Sequence, residues 1–204
     1  MLDKTIPYKN MIMKLDCGRN SFTDLPELPA GFSYRKYQEG DEKYWTETET
    51  AVLEFSSTQQ ASAYFQKDFL PYESELKNRM VFITNTEGIP VANAAAWWHD
   101  KKNSRQACLH WVAVRPEYQG LGLGRAVVVK ALSLFSQYEP QKDIYLHTQT
   151  WSHVAVRLYM NLGFQLCRND TLGNKLNDYE SALDVLKSVF DEETFCRLVD
   201  TSVS

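Results

Sequence analysis

The chain has 204 residues, 44% hydrophobic and 24% charged, which suits one compact domain with small additions better than two full domains. Its 22 basic and 26 acidic residues give a formal charge of -4, and the only adjacent lysines are Lys101 and Lys102; without a basic arm, nucleic acid is not an expected partner. The dispersed cysteines Cys17, Cys108, Cys167 and Cys196 form no CxxC pair, the start carries scattered charges, and no apolar run reaches bilayer length, so a reduced, cytoplasmic chain without a membrane partner is expected.

A short strand is expected at residues 10–15, followed by a loop over DCGRNSFTDLPELPAG, with its two prolines and two glycines. Residues 1–31 then form an N-terminal extension. FSYRKY (32–37) alternates as a strand with one buried face. Asp41 can cap a helix in which Tyr44, Thr48, Val52 and Phe55 recur at helical spacing. Ser57 and Gln60 suit a capping box for a second helix, which Pro71 ends or bends. MVFITN and VANAAAWW flank TEGIP as a β-hairpin, and QACLHWVAV is a further strand.

A helix over 126–138 is stopped by Pro140; then DIYLHTQT reads as a strand, SHVAVRLYMNL as a helix ending at Gly163, and FQLC as a short strand. This alternation over 32–167 implies a mixed α/β domain. Residues 168–204 add two amphipathic helices packed on the same domain, the first with Asn177 and Glu180 at capping-box spacing. They are expected to cover a sheet edge or, in a homodimer, a partner subunit.

Between the strand ending at Val114 and the helix lies RPEYQGLGLGR, with Gly120, Gly122 and Gly124. Glycines at a helix start let the backbone approach an anion, where unpaired N–H groups and the positive end of the helix dipole favour it. A tight strand-to-helix turn needing positive φ is the alternative. A Rossmann fingerprint needs Gly or Ala where Val127 stands, and a P-loop needs Gly-Lys-Ser/Thr, which is absent; nicotinamide and nucleotide enzymes therefore fail on spacing.

VAVRPEYQGLGLGRA resembles the acyl-CoA pyrophosphate motif of the GNAT superfamily of N-acetyltransferases, and TWSHVAVRLYMNLGF resembles that superfamily's second CoA-side motif. The resemblance covers 32 to about 167. It implies a mostly antiparallel mixed central sheet with one splayed parallel strand pair, and helices on both faces. It also implies acetyl-CoA as co-substrate, with its pantetheine arm on the main chain of Val112, Ala113 and Val114. The pyrophosphate would lie on the amides of Gln119, Gly120, Leu121, Gly122, Leu123, Gly124 and Arg125. Ser152 stands where the family usually has a pantetheine-binding Asn.

Acetyl transfer to an amine needs a base, because a protonated alkylamine, with a pKa of about 10, has no lone pair. His110 in LHWVAV occupies the place of a basic histidine in the arylalkylamine branch, and Tyr159 the place of the family's leaving-group acid. Each has a plainer alternative, a histidine bonded inside the sheet and a packing tyrosine. Cys108 and His110 share a strand face, but they are too far apart for a nucleophile and base pair. His99, His147 and His153 lack a metal spacing, so no metal is expected.

The acceptor, a small-molecule or peptide amine, is expected against Glu54, Phe55 and Trp98, Trp97 and Trp98 alternating so that one of them faces the pocket, with EGDEKYWTETETAVLE as an acidic wall or a solvated helix face. A non-catalytic acyl-CoA sensor or interaction domain is the alternative from another class.

Overall fold

The computed structural model describes the chain except Met1, Cys17, Arg19, Asn20, Ser21, Lys102 and Asn103, and the side chain of Lys101. The readings placed on Cys17 and on the Lys101–Lys102 pair lie outside the described residues. Seven strands form one sheet: β1 (Asn10–Leu15), β2 (Ser33–Lys36), β3 (Met80–Thr84), β4 (Pro90–Lys101), β5 (Ser104–Val114), β6 (Ile144–Gln149) and β7 (Gln165–Leu166). Their order is β2-β3-β4-β5-β6-β1-β7. The helices are α1 (Glu42–Ala51), α2 (Thr58–Asp68), α3 (Glu73–Arg79), α4 (Leu123–Tyr138), α5 (His153–Asn161), α6 (Tyr179–Leu186) and α7 (Glu192–Asp200). Among the described residues no helix is long and apolar enough to cross a membrane.

Antiparallel pairing dominates, as expected: β2 with β3, β3 with β4, and β1 with both β6 and β7. The parallel pair is β5 with β6, in register at Cys108 and Tyr145. The chain divides into two compact units, Phe22–Trp97 with Leu109–Tyr138, and Leu2–Ser21 with Trp98–Cys108 and Glu139–Ser204. The boundary between them falls within β4 and within β5.

In the first unit every residue of β3 is buried, which explains its unbroken apolar sequence where a one-faced strand would alternate. The chain enters α1 without the expected Asp41 side-chain cap. Asp41 instead takes both guanidinium nitrogens of Arg35 at 2.9 Å and the Gln38 amide at 2.7 Å, a charge-assisted set that outweighs one neutral cap bond. Ser57 does cap α2, accepting from the Gln60 amide, while Gln60 turns its Oε1 to the Ser56 hydroxyl and leaves the box half made.

Two helices were expected before the hairpin and three form. Pro71 lies in a single 3-10 turn, Leu70–Tyr72, after which α3 begins with Glu73 and Glu75 and ends with Lys77 and Arg79, the polarity its dipole favours.

In the second unit, β1 lies between β6 and β7, so the expected N-terminal extension supplies an internal strand. The expected Asn177–Glu180 box is absent, because Asn177 donates instead to the carbonyls of Cys167, Arg168 and Asp170. Asp191 caps α7 through the Thr194 amide at 2.8 Å. Past α7, Val203 bonds to Leu166 and Arg168 through the main chain and so pairs the outer edge of β7.

Candidate active site

The turn between β5 and α4 is built by its glycines. Gly120 and Gly122 have φ of 80° and 78°, where a side chain would cost about 1–2 kcal/mol, and a Cβ on either would meet nothing within 4 Å. They are required by the turn, and they leave its outer face open. Gly124 differs: it lies in the first turn of α4, outside the positive-φ set. The first helical bond runs from the Ala126 amide to the Gly122 carbonyl at 3.1 Å, so the amides of Leu123, Gly124 and Arg125 precede any intrahelical acceptor.

That arrangement fits a pyrophosphate, with the Arg125 side chain exposed beside it. Gln119 is used otherwise. Its amide bonds to Pro116 at 3.3 Å and its side chain donates to the Val114 carbonyl at 3.0 Å, bracing the turn. Leu121 is 46% exposed.

Ahead of the turn, Ala113 is buried while Val112 and Val114 are half-buried. Arg115 fastens this strand end: its amide donates to Val91, its Nη2 lies 2.6 Å from Glu47, and its Nε bonds to Thr48 Oγ1 at 3.2 Å. Within β5, Trp111 has φ of 48°, a left-handed break in a strand that the sequence presents as regular. Asn93 Nδ2 donates to the Trp111 carbonyl at 2.9 Å and to Glu49 Oε1 at 2.8 Å, which binds the break to α1. Burial, with the nearby charge of Glu54 adding to it, pushes the Glu49 carboxyl up to about 8 against the lowering effect of Asn93.

His110 stands next to this break, half-buried among aromatic rings. Its Nε2 is 3.4 Å from Tyr64 Oη, and its ring centroid is 6.2 Å from Phe69 and 5.5 Å from Trp111. Trp111 Nε1 donates to the same Tyr64 oxygen at 3.2 Å, and Phe55 stacks on Trp111 at 5.2 Å. Trp45, Phe65 and Phe69, buried and packed ring against ring, lie against them.

Phe55 therefore joins the wall around His110, while Glu54 is exposed at the break between α1 and α2. Trp97 is the tryptophan of β4 in this unit's cluster, 4.9 Å from Phe69. Trp98 belongs to the second unit, buried beneath the Arg105 guanidinium at 3.8 Å. Alternation along the strand sends the two rings to opposite faces.

Most acidic residues of that stretch are engaged within the protein. Asp41 is held by Arg35, Glu47 by Arg115, Glu42 accepts from Tyr37 and Gly40, and Glu49 is buried.

In the second unit, Ser152 immediately precedes α5 and makes no side-chain cap bond. Tyr159 is buried in α5, its ring 5.8 Å from Phe164. Burial pushes the Cys108 thiol up to about 12, so it holds its proton at neutral pH and is no thiolate nucleophile. His147 bonds through Nε2 to Asn10 Oδ1 at 3.0 Å.

Tyr64, Asn93 and the Trp111 break are not foreseen by the sequence reading. Asn93 offered a signal, as the single polar residue in VANAAAWW; the others meet only through tertiary contacts.

Residues 38–164 match the family model described as the acetyltransferase (GNAT) family. No curated protein matches the chain. The fold is similar to a GCN5-related N-acetyltransferase from Sphaerobacter thermophilus, at 20% identity and a TM-score of 0.59 over 79% of this chain and 49% of that one. It is similar, too, to a tandem GNAT protein from the clavulanic acid biosynthesis pathway, at 18% identity and a TM-score of 0.57 over 80% and 51%. An acetyltransferase from Colwellia psychrerythraea matches at 11% identity and a TM-score of 0.57 over 81% and 55%. The chain thus spans about half the length of these structures. With more than half of its residues inside the family model, the chain belongs to the acetyltransferase (GNAT) family.

Proposed function

We propose that the chain transfers an acetyl group from acetyl-CoA to an amine, with His110 receiving the amine's proton and Tyr159 protonating the departing thiolate. Family membership implies acyl transfer from an acyl-CoA. The finer reading is carried by one observation: the strand bearing His110 runs directly into a turn whose glycines free the amides of Leu123, Gly124 and Arg125.

Acetyl-CoA supplies the activated carbonyl as a thioester. The chain's part is to hold it and manage protons. Main-chain groups of Val112, Ala113 and Val114 receive the pantetheine arm, with the Ser152 hydroxyl as a further donor. The amides at the start of α4 and the Arg125 guanidinium receive the pyrophosphate. An alkylammonium with a pKa of about 10 must lose a proton before it attacks, which is the work of an imidazole titrating near about 6.5 when unperturbed. A phenol keeps its proton at neutral pH and can give it to a thiolate, the role the family motif assigns Tyr159. The half-buried rings of Phe55, Tyr64 and Trp111 wall the acceptor, with Trp97 rather than Trp98 completing them and Glu54 at the rim.

Thermal unfolding with acetyl-CoA, CoA, NAD and ATP in parallel, followed by CoA release over a panel of amines, tests this. A native-state ligand at a hundredfold excess over its Kd stabilises by about 2.7 kcal/mol, and the CoA ligands alone are expected to do so. Stabilisation without amine-dependent CoA release would make the chain an acyl-CoA-binding module. No stabilisation by either CoA ligand would overturn the reading.

A further inference from the structure

The break in β5 is held by a chain of groups that ends on an acid. The Trp111 carbonyl can only accept, so the Asn93 atom 2.9 Å from it is the amide nitrogen, and that fixes the direction of the whole amide. The same nitrogen donates to Glu49 Oε1 at 2.8 Å. Asn93 Oδ1 is buried and meets no donor among the described residues. The pair is short of a donor, which favours a hydrogen on Glu49 over a charge.

A negative charge at Glu49 is opposed by its surroundings as well. Glu49 is 1% exposed and lies in the last turn of α1, at the negative end of the helix dipole, with no basic residue in that turn. Glu54, in the connection to α2, adds a negative charge. From β5, Arg115 is spent on Glu47 and the Thr48 hydroxyl, and β4 contributes the neutral Asn93. His110 from β5 and Tyr64 from α2 are the other titratable groups of the cluster. A buried carboxylate needs a cation or several donors, and among the described residues this side chain has one amide hydrogen bond.

We propose that Glu49, as a neutral acid, is a positioning residue for the reaction: through Asn93 it holds the Trp111 carbonyl, and with it the backbone between His110 and Val112, and its ionisation releases that hold. The hold follows from the geometry; its use in cofactor binding and turnover rests on the acetyl-transfer reading.

A tryptophan at φ of 48° keeps that conformation only where its surroundings impose it, and such a break aims the residues on either side. Neutral Glu49 suits its buried place. Once its proton leaves to solvent, the carboxylate gains by reaching water, and the bond it gives up is the one to Asn93, whose amide then no longer has a fixed direction toward Trp111.

The free full chain labelled with nitrogen-15 at tryptophan, with the Trp111 signals assigned by their loss in Trp111→Phe, reads the hold without any ligand. Between pH 7 and 9 the wild-type Trp111 signals are expected to move with a midpoint of about 8, where burial places this carboxyl. In Glu49→Gln, which keeps an acceptor for Asn93 and cannot ionise, they are expected to stay in place. The wild-type Kd for acetyl-CoA is expected to rise about tenfold from pH 7 to 9 relative to that of Glu49→Gln, because the competent fraction falls by that factor; ionisation of the ligand itself is common to both proteins.

Trp111 signals that do not titrate in the wild type, or that titrate equally in Glu49→Gln, overturn the proposal whatever the ligand does. A Kd with the same pH dependence in both proteins overturns the positioning role. The expected signals and Kd values in a chain that acetylates no amine overturn the acetyl-transfer reading and leave the hold on the cofactor strand standing.

Discussion

Two histidines on two strands of this protein meet different partners. His110 on β5 faces a phenol, which can give and take a proton, in a half-buried aromatic wall. His147 on β6 faces Asn10 Oδ1, which only accepts; the Asn10 amide nitrogen is committed to Asp178 at 2.9 Å, so the oxygen cannot be exchanged for a donor. Burial, with the positive charges of Lys175 and His99 adding to it, pushes the His147 pKa down to about 4, and the ring stays neutral across the physiological range.

Removing each ring should give the widest separation. His110→Ala is expected to lower kcat by about 10²–10⁴-fold with the midpoint of unfolding little changed, the usual worth of a positioned general base. His147→Ala should leave kcat within a few-fold and lose about 0.5–1.5 kcal/mol of stability, the worth of one hydrogen bond, because Asn10 Oδ1 keeps the Tyr8 hydroxyl as a donor. Amine-dependent CoA release and denaturant unfolding on both variants would erase the distinction if the two lost activity equally.

Tyr159→Phe comes next. The ring and its packing on Phe164 remain while the hydroxyl goes, so a fall of about 10–100-fold in kcat without loss of folding marks the acid, and an unchanged kcat marks a packing residue. Gly122→Val forces a β-branched side chain into φ of 78° and is expected to raise the acetyl-CoA KM about tenfold, the equivalent of the 1–2 kcal/mol a left-handed residue costs. An unchanged KM would separate the turn from cofactor binding.

The smallest effect is a slope of stability against pH. Glu49, raised to about 8, binds more protons folded than unfolded between about pH 4.5 and 8, so its contribution is present below that window and is lost as pH rises through it. His147, lowered to about 4, binds fewer protons folded than unfolded between about 4 and 6.5, so stability falls as pH drops through that window. The two oppose each other where they overlap, and above about 6.5 only the Glu49 slope remains. Glu49→Gln, which keeps an acceptor for Asn93, should remove up to about 1.4 kcal/mol per pH unit of decline there. Parallel unfolding curves at pH 6.5 and 8 for both proteins would contradict this.

What was legible in the sequence depends on how local its cause is. Gly120 and Gly122 announce themselves because positive φ is a property of two residues, and the short strand expected at 10–15 forms as β1. Caps were less secure: Asp41 and Asn177 carry the right side chains at the right spacing, yet Arg35 and a row of carbonyls compete for them more strongly. α3 is hidden behind Pro71, which reads as a stop, although acids at its start and bases at its end mark a helix. The wall around His110 could not be read at all. Tyr64 and Trp111 are 47 positions apart, and the break at Trp111 is held by Asn93 and Glu49 from two other elements. Family resemblance pointed to His110; only packing shows what surrounds it.

Acetyl transfer itself is tested most directly by incubating the chain with acetyl-CoA labelled in the acetyl carbon and an amine panel, then locating the label, with His110→Ala alongside. The label is expected to move to an amine with the wild type and to do so at least about 10²-fold more slowly with the variant. Label that stays on CoA with every amine, or moves equally fast without His110, would contradict the account.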